Sequence, residues 1–350
     1  MYRIGEEEIE EVARVIRSGH MFRMGEGVPG HLREVDRFEE AWSEKIGVAH
    51  TLCVTSGTAA LTCGLVGLGI GPGDEVIVPG YTFMATAIAV LSVGAIPVIA
   101  EVDDSLTLDP NDFEEKIGER TKAVIPVDMV GLPCDMDSIT RIARENDVKV
   151  LEDACQAVGG SYRGKRLGSW GDAGAFSFNQ FKIISCGDGG ALVTDDKQIY
   201  ERALIYHDGG APFRPRYGDL STPFFIGTNY RMTEIQGAIL NVQIKRLDGI
   251  LEDLREVKKR FIEELPDASL VRSNDPEGDC GVVFAVSFES EEEARRFASS
   301  PGVGGWLPID SGRHVYKFWD PIMAKRGAHH PAMNPYLMPC LLYTSPSPRD

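Results

Sequence analysis

"AFSFNQFKIISCGDGGALVTDD", residues 175–196, decides how the chain is read. An apolar, β-prone run ends at Ser177 and Phe178. A lone lysine, Lys182, follows. The chain then returns through Gly187, Gly189 and Gly190 into a second β-prone run, Ala191 to Thr194. Both runs read as buried strands. An amine between two buried strands, beside a turn too glycine-rich to carry bulk, calls for a chemical reason.

Outward from this stretch, strand and helix patterns alternate. "HTLCVTSGTAALTCGLVGLGI" reads as a strand, a turn and a small-residue helix from Thr58. "DEVIVPG", "IPVIAEV", "KAVIPVDMV" and "KVLEDAC" read as strands. "ATAIAVLSVG", "DPNDFEEKI" and "DMDSITRIARENDV" read as the helices between them. Residues 6–18 and 33–46 read as two further helices. Alternation at this pace means βαβ units, an α/β fold and a mainly parallel sheet. Such sheets carry their sites at the carboxyl ends of the strands. A long helix pattern starts at Thr233. Beyond it "GVVFAVSFES" reads as a strand and "SEEEARRFASS" as a helix, so a smaller α/β unit follows. The glycine cluster "GLGIGPGDE" (67–75) follows a helix and lacks GxGxxG spacing, so it is a loop and not a dinucleotide fingerprint. That removes the nicotinamide-dependent oxidoreductase.

Composition narrows the classes further. The chain has 350 residues, 43% of them hydrophobic, and a formal net charge of -17. Its pI of about 4.9 argues against nucleic-acid binding through a basic surface. No apolar run is long enough to span a bilayer, and "MYRIGEEEIEEVARVIRSG" is an acidic amphipathic helix pattern without a signal-peptide core. Seven cysteines without CxxC spacing read as reduced thiols of a cytoplasmic protein, not as a disulfide framework or a metal site. The last stretch, "CLLYTSPSPRD" (340–350), reads as translated sequencing adapter against the alternative of a natural tail. On that reading Cys340 leaves the count and the native C-terminus lies outside the chain.

The chemistry converges on Lys182. An amine must be neutral to attack a carbonyl, which a free lysine near pKa ~10.4 is not. Desolvation or a Schiff base solves this, and a Schiff-base lysine points to pyridoxal 5'-phosphate. That cofactor needs an acid on its ring nitrogen, a phosphate cup and a flat partner for the ring. Asp153 ends a buried strand, where a carboxylate is costly unless a cation faces it. In "TSGTAAL" (55–61), Gly57 and Thr58 open a helix directly after a strand, so their amides can bind phosphate. Ser177 can add a hydroxyl, and Phe83 in "GYTFMAT" can stack on the ring. Each residue taken alone has an ordinary reading: a surface lysine, a turn aspartate, a helix cap, a core phenylalanine. Their weight lies in occurring together at strand ends of one sheet.

On the motifs "SGTAAL", "GDEVIVPGYTFMATA", "LEDACQAVGG", "GDAGAFSFNQFK", "GDGGALVTDD" and "NYRMTEIQGAI", the chain resembles the DegT/StrS-type aminotransferases. These are fold type I pyridoxal-phosphate transferases that aminate keto-sugars and related carbohydrates. The resemblance covers roughly residues 1–339. It implies a large cofactor-binding domain over 1–240 and a smaller C-terminal domain over 241–339, cut short here. It implies Lys182 as the lysine joined to the cofactor, Asp153 on the pyridine nitrogen, and Gln156 near the ring oxygen. Gly57, Thr58 and Ser177 match the phosphate binders and Phe83 the stacking aromatic. Asn229 matches a residue that reaches the neighbouring subunit's phosphate, which implies a homodimer with shared sites. L-glutamate or L-glutamine would be the amino donor, and a keto-sugar, keto-sugar acid or cyclitol ketone the acceptor. Arg313, His314, Lys317, His329 and His330, in 310–336, could contact a polyhydroxylated or anionic substrate; the alternative is surface residues. Two positions depart from the family pattern. Asp128 stands where many members have His and is read as a capping carboxylate; facing the site instead, it would alter substrate contacts. Asp188 stands where Glu is usual and is read as a turn variant. Pyridoxamine-phosphate dehydratases of the same fold carry His at the lysine position, so Lys182 argues against that activity. The intact set Asp153, Ser177 and Lys182 argues against a non-catalytic regulatory member.

Overall fold

The computed structural model describes residues 3–214 and 217–338. The stretch read as adapter, with Cys340, lies outside them. Seven strands form the central sheet: β1 (His50–Val54), β2 (Glu75–Pro79), β3 (Ile96–Ala100), β4 (Thr121–Val124), β5 (Lys149–Asp153), β8 (Ala173–Ser177) and β9 (Gly190–Thr194). A two-stranded hairpin, β6 (Ser161–Tyr162) and β7 (Lys165–Arg166), interrupts the series. The order is β1-β9-β8-β5-β4-β2-β3. Only β9 runs against the others. The sheet is therefore mainly parallel, and the carboxyl ends of β1, β2, β4, β5 and β8 point the same way.

Helices cover both faces, as a parallel sheet requires. On one face lie α3 (Gly57–Leu68), α4 (Ala85–Ser92) and α7 (Lys197–His207), packed on Leu52, Val76, Leu151 and Leu192. Small residues let α3 lie close: a Cβ on Gly64 would sit 2.7 Å from Leu151 Cδ1. On the other face lie α2 (Glu34–Ile46), α6 (Met136–Glu145) and α8 (Glu234–Glu264), over Ile77, Val150, Phe176 and Val193. The short α5 (Pro110–Glu115) joins β3 to β4. The amino-terminal α1 (Glu6–Ser18) packs on α8. Thr233 and Gln236 cap α8 reciprocally, each side chain accepting the other's backbone N–H. Residue 240 lies inside this helix, where it is buried against the large unit.

Aromatic packing ties α2 to the strand that leads to Lys182. Trp42 meets Phe176 edge-on at 5.1 Å and Phe178 at 5.3 Å, and stacks on Phe38 at 5.7 Å. All four rings are fully buried.

Two expected strands differ from the structure. The ladder of β4 stops at Val124, two residues before Pro126, which has no N–H to give. Val127 then makes one isolated bridge to Asp153. The run "GVVFAVSFES" forms no strand either. It makes one bridge, Leu270 to Val286, with Val271 N–H on Ala285 O (3.0 Å) and Ser287 N–H on Ser269 O (2.7 Å). A single neighbouring segment is too little to hold a regular ladder. The helix expected after it is present as α9 (Glu291–Ala298). Among the described residues, no helix is long and apolar enough to cross a membrane.

Trp42→Ala should cost about 3–5 kcal/mol of unfolding free energy, read by urea denaturation. A loss under about 1 kcal/mol would contradict the packing role given to this ring.

Candidate active site

The site grows from the carboxyl ends of β1, β2, β5 and β8. At the end of β5, Asp153 is only 4% exposed. Its Oδ2 accepts from the Thr86 hydroxyl (3.0 Å) and its Oδ1 from Cys155 N–H (3.1 Å). No ion pair to it is made among the described residues.

At the end of β1 the chain turns straight into α3. Ser56 caps the helix by accepting Ala59 N–H at 3.1 Å. The Gly57 and Thr58 amides are the first two of the helix and have no acceptor within it. Gly57 packs against Cys155 and Ser177: a Cβ there would sit 2.8 Å from Cys155 Sγ and 2.9 Å from Ser177 Cβ. So β1, β5 and β8 bring Gly57, Cys155 and Ser177 into one cradle. Gly190 is equally constrained, because a Cβ would lie 2.4 Å from Ser56 O.

Lys182 stands on the loop joining β8 to β9. Phe178 N–H to Gly189 O (2.8 Å), Cys186 N–H to Phe178 O (3.1 Å) and Gln180 N–H to Gly187 O (2.8 Å) pair the loop's two arms. Asp188 clasps it by accepting from the Asn179 side-chain amide at 2.8 Å, which is the work of a turn residue. Gly187 sits at φ +91°, where a side chain would be strained. The Lys182 charge is felt at two groups. It opposes the rise of the Cys155 thiol, which burial pushes well up, and it helps lower His314. Two walls thus lie within electrostatic reach of Lys182: the β5 end at Cys155, and residues 314–316 at His314.

That second wall is a β-like pairing. Thr82 N–H donates to His314 O (2.8 Å) and Tyr316 N–H to Gly80 O (2.9 Å). His314 is brought beside Phe83 (ring centres 6.2 Å apart), Tyr81 (6.5 Å) and Trp306 (6.4 Å). Its Nδ1 is buried without a partner. Burial, then the charges of Arg313 and Lys182, hold the imidazole below its ordinary value of 6.5. Phe83 is 45% exposed, at the opening.

The other expected residues fall as follows. Gln156 follows Asp153 along the same loop, its Oε1 accepting Val130 N–H at 3.3 Å. Asn229 is exposed on a segment that bridges Asp208, and its side chain accepts Arg231 N–H at 3.2 Å. Asp128 is fully buried and accepts Cys134 N–H at 2.9 Å, so it faces the interior. Arg313, Lys317, His329 and His330 are exposed. The Lys317 ammonium lies over the Phe318 ring, and His330 caps Ala332 N–H. Thr86 and Cys155 are site neighbours that sequence reading passed over. A hydroxyl in the first turn after a strand end was the available signal for Thr86.

The residues fit a pyridoxal phosphate. A buried carboxylate with no ion pair suits a protonated ring nitrogen, helix-start amides and a serine hydroxyl suit a phosphate, and Lys182 stands on the loop that follows Ser177. A mainly parallel sheet with one reversed strand and helices on both faces is the fold of a type I pyridoxal-phosphate transferase. The chain belongs to the DegT/DnrJ/EryC1/StrS aminotransferase family, whose sequence model matches residues 2–298. It is 43% identical over 217 residues to GDP-perosamine synthase of Caulobacter vibrioides, covering 62% of this chain and 57% of that one. It is 35% identical over 303 residues to dTDP-3-amino-3,6-dideoxy-alpha-D-galactopyranose transaminase of Aneurinibacillus thermoaerophilus, covering 85% and 80%. Among solved structures it resembles S. venezuelae DesV in complex with a ketimine intermediate, with a TM-score of 0.74, 31% identity and coverage of 97% and 84%. The chain spans about three-fifths of the length of several curated relatives it matches.

The buried imidazole makes a direct prediction. The His314 ring protons should titrate with a midpoint below 6.5 by NMR, leaving the ring neutral at pH 7. A midpoint above 6.5 would contradict the burial and the facing cations.

Proposed function

We propose that this chain is a pyridoxal-phosphate-dependent aminotransferase. It would move an amino group from L-glutamate or L-glutamine to the ketone of a sugar, sugar acid or cyclitol. One observation carries the reading: the buried Asp153 carboxylate faces no cation of its own, and it shares a layer of strand ends with Lys182 and the Gly57–Thr58 amides. The names of the relatives support carbohydrate acceptors, among them GDP- and dTDP-linked sugars and an amino-scyllo-inosose.

When bound, the cofactor supplies an electron sink that stabilises charge beside the reacting nitrogen. Asp153 holds the proton on its ring nitrogen, and Thr86 and Cys155 N–H fix that carboxylate in place. The Gly57 and Thr58 amides, with the positive end of the α3 dipole, bind the phosphate, and Ser177 adds a hydroxyl. Phe83 would stack on the ring and Gln156 would lie near its ring oxygen. Lys182 Nζ takes the donor's Cα proton as a base and returns a proton to the acceptor carbon as an acid. Neutral His314, packed among aromatic rings, forms with them the wall against which a carbohydrate would lie. The rings give its C–H faces a surface to lie on.

The reading also includes a homodimer. Asn229 is exposed, next to Tyr230 and Arg231, which pair with the end of β1. Its own loop carries Phe213, Phe224 and Ile226 exposed, the last at 86%. A second copy covering them would bring Asn229 to the partner's phosphate site. The six described cysteines are all free and buried, which fits a reducing, cytoplasmic setting.

Reconstitution with pyridoxal phosphate should give a visible absorption band that L-glutamate or L-glutamine bleaches. Lys182→Ala should abolish the band while leaving the far-UV circular dichroism unchanged. A folded protein without the band would overturn the assignment. A band that neither donor changes would overturn the choice of donors.

A further inference from the structure

Two buried acids behind the site have no role in the chemistry above. Asp128 and Glu152 are both fully buried, and no ion pair to either is made among the described residues. Glu152 precedes Asp153 on β5, so strand alternation turns it to the opposite face. Its Oε2 accepts Trp170 N–H at 2.8 Å. Asp128 Oδ1 accepts Cys134 N–H at 2.9 Å. The remaining oxygens, Asp128 Oδ2 and Glu152 Oε1, are buried and otherwise unpartnered. Each carboxyl group acts on the other, and the Gly168 backbone N–H, like that of Trp170, favours the Glu152 charge. Two carboxylates cannot bond to each other, whereas an acid and a carboxylate can, through one proton.

The surroundings favour that proton. Burial pushes Glu152 up to about 7 and Asp128 well above the ordinary carboxylate range, and the Glu152 charge raises Asp128 further. The other groups facing the pair are the Cys134 and Cys280 thiols, both raised by burial, and the Lys165 ammonium, which is exposed and sits over the Trp170 ring. None replaces the proton.

Asp128 belongs to the loop that holds the ring-facing residues. Pro126 O accepts Asp153 N–H (2.8 Å), and Asp128 N–H donates to Asp153 O (3.1 Å). Val130 N–H donates to Gln156 Oε1 (3.3 Å). The same loop forces Val130 to φ +50°, a conformation costly for a β-branched residue. Something must hold it there: the Asp128 side chain ties it to Cys134 at one oxygen, and the other is free for Glu152 on β5.

We propose that Asp128 and Glu152 share one proton and together position Asp153 and Gln156 against the cofactor. The positioning half rests on the functional reading above; the shared proton does not.

The sign of the pH effect follows. The native pair binds a proton that the unfolded chain, with Glu near 4.5, has released at neutral pH. Stability from the pair is therefore greatest in acid and falls as pH rises toward and through about 7. Glu152→Gln supplies a permanent N–H to Asp128 Oδ2 and keeps an oxygen for Trp170 N–H. Asp128→Asn does the same from the other side. The test compares wild type with these two variants from about pH 5 to about pH 8. The first readout is Tm of the cofactor-free protein, and the second is Kd for pyridoxal phosphate by equilibrium dialysis. Wild-type Tm should fall with pH more steeply than that of either variant. Wild-type Kd should loosen about tenfold more than theirs across the range. Parallel Tm profiles in all three proteins would overturn the shared proton. Diverging Tm with parallel Kd would overturn the positioning role. A folded protein that binds no pyridoxal phosphate at any pH would overturn the functional reading and the positioning role with it, while the Tm comparison would still decide the shared proton.

Discussion

A carboxylate at the end of a buried strand, with hydrogen bonds but no cation, is the constraint around which this structure is arranged. Taking such a group out of water costs several kcal/mol, on the order of what separates folded from unfolded chains. Asp153 recovers part of that from Thr86 and the Cys155 amide. The rest calls for a positive partner from outside the chain. On the proposed function a protonated pyridine ring would meet that demand, with Lys182 and the Gly57 and Thr58 amides holding its other substituents.

The close packing around the site follows from the same geometry. Three strand ends converge, and side chains at Gly57 or Gly190 would fill the space the converging backbones leave. The antiparallel β9 is what returns the lysine loop to the sheet, and its first residue has to pass Ser56 at contact distance. The aromatic group of Trp42, Phe176 and Phe178 fixes the outgoing arm of that loop from beneath. Stability and function therefore meet in one stretch, residues 175–196.

Much of this was legible in the sequence, because strand and helix periods, helix-start residues and strand-end polar groups are local signals. Residues 50–54, 57–68 and 149–153 fell where the pattern put them. What stayed hidden was set by partners distant in sequence. The run 281–290 has the alternation of a strand but only one neighbour to pair with. His314 was one of five candidate polar residues in a Pro-rich stretch. Only the pairing of 313–316 with 80–82 separates it from Arg313, Lys317, His329 and His330, which stay on the surface. Asp128 was read as a cap, and it does accept a backbone N–H. Its contact with Glu152 could not be read, because nothing in the spacing of two acids 24 positions apart says that they face each other. An acid inside a buried strand, Glu152 beside Asp153, was the one available hint.

We propose that the strand ends present Lys182, and no other amine, to the cofactor. This is tested most directly by reducing the reconstituted protein with sodium borohydride, digesting it and locating the phosphopyridoxyl group by mass spectrometry. One modified peptide is expected, carrying the group on Lys182. Modification at another lysine, or none in a folded protein, would contradict it.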